Sequence, residues 1–173
     1  MIGIEQVLDT ADYRTIAEQI PDQWRPLSGF LAVTGMRLGE AAALRVDDID
    51  AGAGLCQVSR TWVPGVRCWY LQSARVVRCV QMPEVIVEAL DLDRTDEELF
   101  RVDRAAGPGL IHRYRKVWAH AVNVVAADLD RRPRVNALRQ MCGAQLLNAG
   151  VPVEEVAAQL GSSTLAVLRL PTA

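Results

Sequence analysis

The sequence predicts a mostly α-helical domain with one small antiparallel three-stranded sheet, an α+β arrangement. Three observations carry this. Apolar residues recur at helical spacing in the first and last thirds, β-branched and aromatic residues crowd residues 55–82, and 173 residues are enough for one ordinary core.

In the first third, Tyr13 to Ile20 sets Ile16 and Ile20 four apart, one helical turn. Leu27 to Val33 follows Pro26, a residue suited to a first helical turn. Gly35 breaks that run, and Gly39 to Leu44 opens another helix. In the middle, Leu55 to Val63, Arg67 to Gln72 and Val76 to Met82 read as the three strands, with a Pro64-Gly65 turn between the first two. Pro83 then opens a helix through Leu90. In the last third one stripe holds Val117, Ala121, Val124, Val125 and Leu129. A second holds Leu138, Met141, Cys142, Gln145 and Leu146, with Gly150 as its stop. Val153, Val156, Ala157 and Leu160 form the last, ended by Gly161.

Charge is close to balanced: 19 Lys+Arg against 21 Asp+Glu, a net −2. That argues against coating nucleic acid by bulk charge and leaves room for one basic face. Residues 60–83 carry Arg60, Arg67, Arg75 and Arg78 and no acid, and residues 101–139 hold nine bases against three acids. Such asymmetry suits a local polyanion site, although solvated surface produces it too. No basic leader with an apolar run opens the chain, and no apolar stretch is long enough for a membrane span. The expectation is one cytoplasmic domain over residues 1–173, with no membrane partner. Cys56, Cys68, Cys79 and Cys142 lack zinc-ligand spacing with each other or with His112 and His120, so no metal site is expected.

Three separated segments carry a more specific signal. The first is Thr34-Gly35-Met36-Arg37-Leu38-Gly39-Glu40, running on to Asp50. The second is Asn136-Ala137-Leu138-Arg139-Gln140, followed by Leu146 to Val151. The third is Val156-Ala157-Ala158-Gln159-Leu160-Gly161-Ser162-Ser163. In order and spacing they resemble the first arginine box, the His-x-x-Arg box and the Leu-Gly-His-Ser segment of the tyrosine recombinases, or phage integrases. The resemblance covers residues 20–171 and implies that family's catalytic-domain fold.

In that family two arginines grip the scissile phosphate, a tyrosine hydroxyl attacks phosphorus, and a lysine and histidines move protons or support the phosphate. The resemblance places the arginines at Arg37 and Arg139. It places the lysine at Gln72, the box histidine at Asn136, the supporting His/Trp at Ser162 and the nucleophile at Pro171. Gln72, Asn136 and Ser162 still form hydrogen bonds, but none exchanges protons near pH 7 as Lys or His can. Proline has no hydroxyl, and no tyrosine follows Tyr114. Ser162, Ser163 and Thr164 are poor substitutes without a base to activate them.

The resemblance therefore implies a pseudoenzyme without cofactor: a DNA-binding protein regulating transcription or a related integrase. Arg37 and Arg139 would hold a phosphate, with Arg75, Arg78, Arg131, Arg132 and Arg134 adding contacts. Its partners would be double-stranded DNA, in a modest, salt-sensitive complex, and a full-length recombinase or a second copy. The separate N-terminal domain usual in the family is expected to be missing. The competing readings are an interaction partner or decayed remnant that does not bind DNA, and an active recombinase with rearranged residues. Arg37 has a plainer alternative role as the ion-pair partner of Glu40, one turn along.

Overall fold

The computed structural model describes residues 8–66, 68–93, 97–129 and 132–170. Helix α1 (Thr10–Glu18) is capped by Asp9, whose carboxylate accepts the Asp12 N–H at 2.8 Å. Helix α2 (Arg25–Thr34) has Pro26 in its first turn and ends at Gly35 in the left-handed region. A short α3 (Leu38–Ala41) follows, then strand β1 (Ile49–Asp50).

Strands β2 (Leu55–Pro64) and β3 (Trp69–Gln81) form a long hairpin, and β1 pairs with β2 to complete the antiparallel order β1-β2-β3. The described residues hold three strands, but not the three expected. The expected second and third strands, Arg67 to Gln72 and Val76 to Met82, merge into the single strand Trp69–Gln81; Cys68 and Met82 fall just outside it, and Arg67 lies outside the described residues. The linking residues Ser73-Ala74-Arg75 contain neither Gly nor Pro, so nothing turns the chain, and an irregularity between Val58 and Arg60 absorbs the register change.

Helix α4 (Glu84–Glu88) begins after Pro83. The long α5 (Gly107–Val124) is followed by α6 (Ala126–Leu129), α7 (Asn136–Asn148), α8 (Val153–Leu160) and α9 (Thr164–Val167). The main core gathers Phe30 and Leu31 of α2, Leu110, Tyr114 and Trp118 of α5, Leu138 and Met141 of α7, and Val58 and Val80 of the sheet. A satellite cluster of Cys142, Val156, Ala157, Leu160 and Val167 seats α8 and α9 against α7. Val124, expected in the α5 stripe, is 55 % exposed, while Trp118 and Val122 point inward. No described helix is long and apolar enough to cross a membrane.

Candidate phosphate-binding cleft

The turn from α2 to α3 is the pivot of the site. Gly35 has φ +64, and a Cβ there would lie 2.4 Å from Leu160 and 3.1 Å from Cys142 Sγ. Only glycine suits both the backbone angle and the close approach of α7 and α8. Arg139 reaches up from α7 and donates from Nη1 to the Gly35 carbonyl at 2.8 Å. Its guanidinium thus lies directly beneath the turn that carries Arg37.

Glu40 organises the charges. Its Oε2 accepts the Arg37 backbone N–H at 3.0 Å, and its Oε1 lies 3.3 Å from Arg37 Nη1. Arg78 of β3 binds the same carboxylate with two prongs, Nη1 to Oε1 at 3.1 Å and Nη2 to Oε2 at 2.9 Å. The Arg78 Nε donates to the Gln159 carbonyl at 2.9 Å, tying the sheet to the end of α8. Burial pushes the Glu40 carboxyl up, but the Arg78 hydrogen bonds and charge, with those of Arg37, outweigh it and hold it below its ordinary range.

Arg78 therefore departs from its expected place as a DNA contact. It is a buried strut whose guanidinium is occupied within the protein. Of the two roles expected for Arg37, the structure displays the ion pair with Glu40. Arg37 pairs through one nitrogen, and its side chain stays 42 % exposed.

Between the β2–β3 hairpin, α5 and the start of α7 lies a cavity of about 940 Å³. Arg37, Gln72, Arg75, Arg132, Arg134 and Asn136, assigned from three distant segments, all line it. Arg139 lies behind this wall. It is nine-tenths buried, and its Nη2 has no hydrogen-bond partner among the described residues. Burial, then the nearby Arg37 and Arg78 charges, lower its pKa to about 10 against the opposing pull of Glu40. Ser162 is half-buried after α8, donates its N–H to the Ala157 carbonyl at 2.9 Å and does not line the cavity. Arg131 and Pro171 lie outside the described residues.

The cavity also uses residues the sequence reading did not single out: Thr61 and Trp62 of β2, and Arg115, Trp118 and Asn123 of α5. Positions 115, 118, 119, 122 and 123 follow helical spacing, so the wall was present in the sequence as a second face of α5. The Arg115 guanidinium also stands over the Trp69 ring, 5.9 Å from its centroid. No group of three His, Cys, Asp or Glu side chains among the described residues is arranged to hold a metal ion.

A family model described as the phage integrase family matches residues 3–169. The chain belongs to the phage integrase family. Its fold is that of the tyrosine recombinase catalytic domain. The Tn1549 transposon integrase, solved in complex with a circular intermediate DNA, superposes with a TM-score of 0.79 at 16% identity, over 96% of this chain and 61% of that one. XerA recombinase gives 0.70 at 18% identity, over 95% and 57%. The catalytic domain of bacteriophage HP1 integrase gives 0.67 at 15% identity, over 95% and 85%. This integrase-family chain thus spans about three-fifths of the first two proteins and most of the isolated HP1 domain. No match is found among curated proteins.

Proposed function

We propose that this domain binds double-stranded DNA through its phosphate backbone and does not cleave it, acting in the cytoplasm on transcription or on a related integrase. The carrying observation is the composition of the cleft. Arg37, Arg75, Arg132 and Arg134 converge on one cavity, while the positions matched to the family's lysine and box histidine, Gln72 and Asn136, line it as neutral amides. Arginine grips phosphate oxygens through fixed charge and paired N–H donors, which requires no proton transfer. Cleavage needs a nucleophile and groups that exchange protons near pH 7. Pro171 stands at the matched nucleophile position, and residues 115–173 contain no tyrosine.

The Tn1549 integrase, solved in complex with a circular intermediate DNA, supports DNA as the ligand. The orphaned, buried Nη2 of Arg139 supports an oxygen-bearing partner, because a buried donor left unpaired is costly. The net charge of −2 favours one second reading, docking on an intact integrase without useful DNA affinity.

Gel shift and anisotropy on random duplex at about 50 mM salt test the proposal. Binding is expected, with log affinity falling linearly against log salt. Arg37→Ala is expected to lower that slope by about 0.9, the loss of one phosphate contact. A nicked suicide substrate is expected to leave no SDS-resistant adduct. A covalent adduct overturns the non-cleaving assignment. Absence of any shift, with co-purification of an intact integrase, overturns DNA binding in favour of the second reading.

A further inference from the structure

The cleft is larger and more apolar than a phosphate requires. Its volume of about 940 Å³ lies within the roughly 300–1,000 Å³ of pockets that enclose whole organic ligands. Beside the arginines its wall carries the partly exposed Trp62, Val63 and Val135, backed by the buried Trp118 and Val122 of the core. A backbone phosphate engages only the cationic part and leaves this apolar wall unused.

The wall is built rather than incidental. The Trp62 indole sits against the start of α5, where a Cβ on Gly107 would lie 3.1 Å from its Cε2 and Nε1. The Trp62 carbonyl lies so close to α3 that a Cβ on Gly39 would be 2.6 Å away. The hairpin is thereby seated on the helix that presents Arg37. The Trp118 indole N–H donates to the Pro133 carbonyl at 2.8 Å, fixing that ring and the segment leading to Arg134.

An apolar aromatic wall beside convergent arginines fits one chemistry: a planar base joined to a phosphate. We propose that this cleft accepts an unstacked nucleotide, its base against Trp62 and its phosphate on Arg37 and Arg75. This rests on the reading of the cleft as a phosphate cradle and deepens it. The preferred ligand becomes DNA with an unpaired base, because a paired base is held in the stack. Stacking one base on an aromatic side chain strengthens binding by roughly fivefold to a hundredfold, and tenfold lies toward the low end of that range.

The test is anisotropy at one fixed salt concentration with two labelled duplexes, identical except for one extrahelical adenine. Free dAMP serves as a competitor. The expected result is about tenfold tighter binding of the extrahelical duplex. In Trp62→Ala the ratio of the two affinities should fall to one, and Trp62→Phe, which keeps a ring, should retain most of it. Displacement by dAMP that is lost in Trp62→Ala supports the same site with a free nucleotide as its source. Equal affinity for the two duplexes without dAMP binding, or a preference that persists in Trp62→Ala, overturns this inference while leaving backbone binding intact. Failure to bind either duplex or dAMP overturns this inference and the DNA-binding assignment together. Circular dichroism of each variant separates lost recognition from lost folding.

Discussion

Replacing Glu40 with glutamine removes one negative charge from the point where Arg37 and Arg78 meet and where Arg139 lies close enough to feel them. The carboxylate side chain is 3 % exposed and Arg78 is 6 % exposed, so water cannot screen what remains. Glutamine keeps one acceptor oxygen for Arg78 but points an NH₂ at the other guanidinium nitrogen, donor against donor. Removing one member of a buried pair costs roughly 3–5 kcal/mol. For a chain of this size that corresponds to a fall in Tm of about 6–20 °C.

Urea denaturation of wild type, Glu40→Gln, Arg78→Met and the double variant measures the effect. The double variant should be more stable than the sum of the singles predicts, because no orphaned charge remains. Acid gives an independent check. The folded carboxyl holds its proton less tightly than the unfolded one, so its contribution is complete above about pH 4.3 and is lost as pH falls through the lower folded value. The gap between wild type and Glu40→Gln should therefore narrow below about pH 4. A loss under about 1 kcal/mol at neutral pH, or a gap that widens in acid, would refute the buried-clasp account.

Gly161→Ala should destabilise the domain by about 1–3 kcal/mol in the same urea assay, because φ is +61 and the new Cβ would lie 2.8–3.0 Å from the Arg78 guanidinium. A thiol reagent under native conditions should modify exposed Cys68 and Cys79 quickly and Cys56 and Cys142 only on unfolding. Burial raises the latter two to about 12 and about 11, and mass spectrometry of the labelled peptides checks the order. DNA affinity should stay flat from about pH 6 to 9, because no His or Lys among the described residues lines the cleft and its arginines stay charged. A step near pH 6.5 would implicate a histidine outside the cleft instead.

The arginine boxes were legible because their residue types and spacings are local. Arg37 and Glu40 lie within one turn, and Asn136 and Arg139 within another. The fate of Arg78 was not, because its carboxylate partner lies 38 residues upstream and nothing near Arg78 in sequence marks it as internal. The phase of α5 misled for a different reason. Val117, Trp118, Ala119, Ala121, Val122, Val124 and Val125 put apolar side chains on several faces, so two stripes fit equally well and only packing chooses between them. In the hairpin, Trp69–Gln81 read as two strands because polar Ser73 and Arg75 interrupt it, yet both are exposed edge positions that leave the backbone extended.

Stability and recognition meet in the distribution of charge around Glu40. One carboxylate faces three guanidiniums, and geometry divides it unequally. Arg78 takes both oxygens, Arg37 touches one at 3.3 Å, and among the described residues Arg139 bonds the Gly35 carbonyl alone. Burial first, and then the Arg37 and Arg78 charges, lower the Arg139 pKa to about 10, which leaves it protonated at neutral pH. An anion entering beside Arg37 supplies the missing negative charge and pulls that pKa back up. Under the proposed function, the under-compensated charge that weakens the free fold is the same charge that would draw in a phosphate. Ligands that bind there must stabilise the folded chain by RT ln(1 + [L]/Kd). A second carboxylate in the cluster is expected to strengthen the fold and, if the proposed DNA binding holds, to weaken that binding at once.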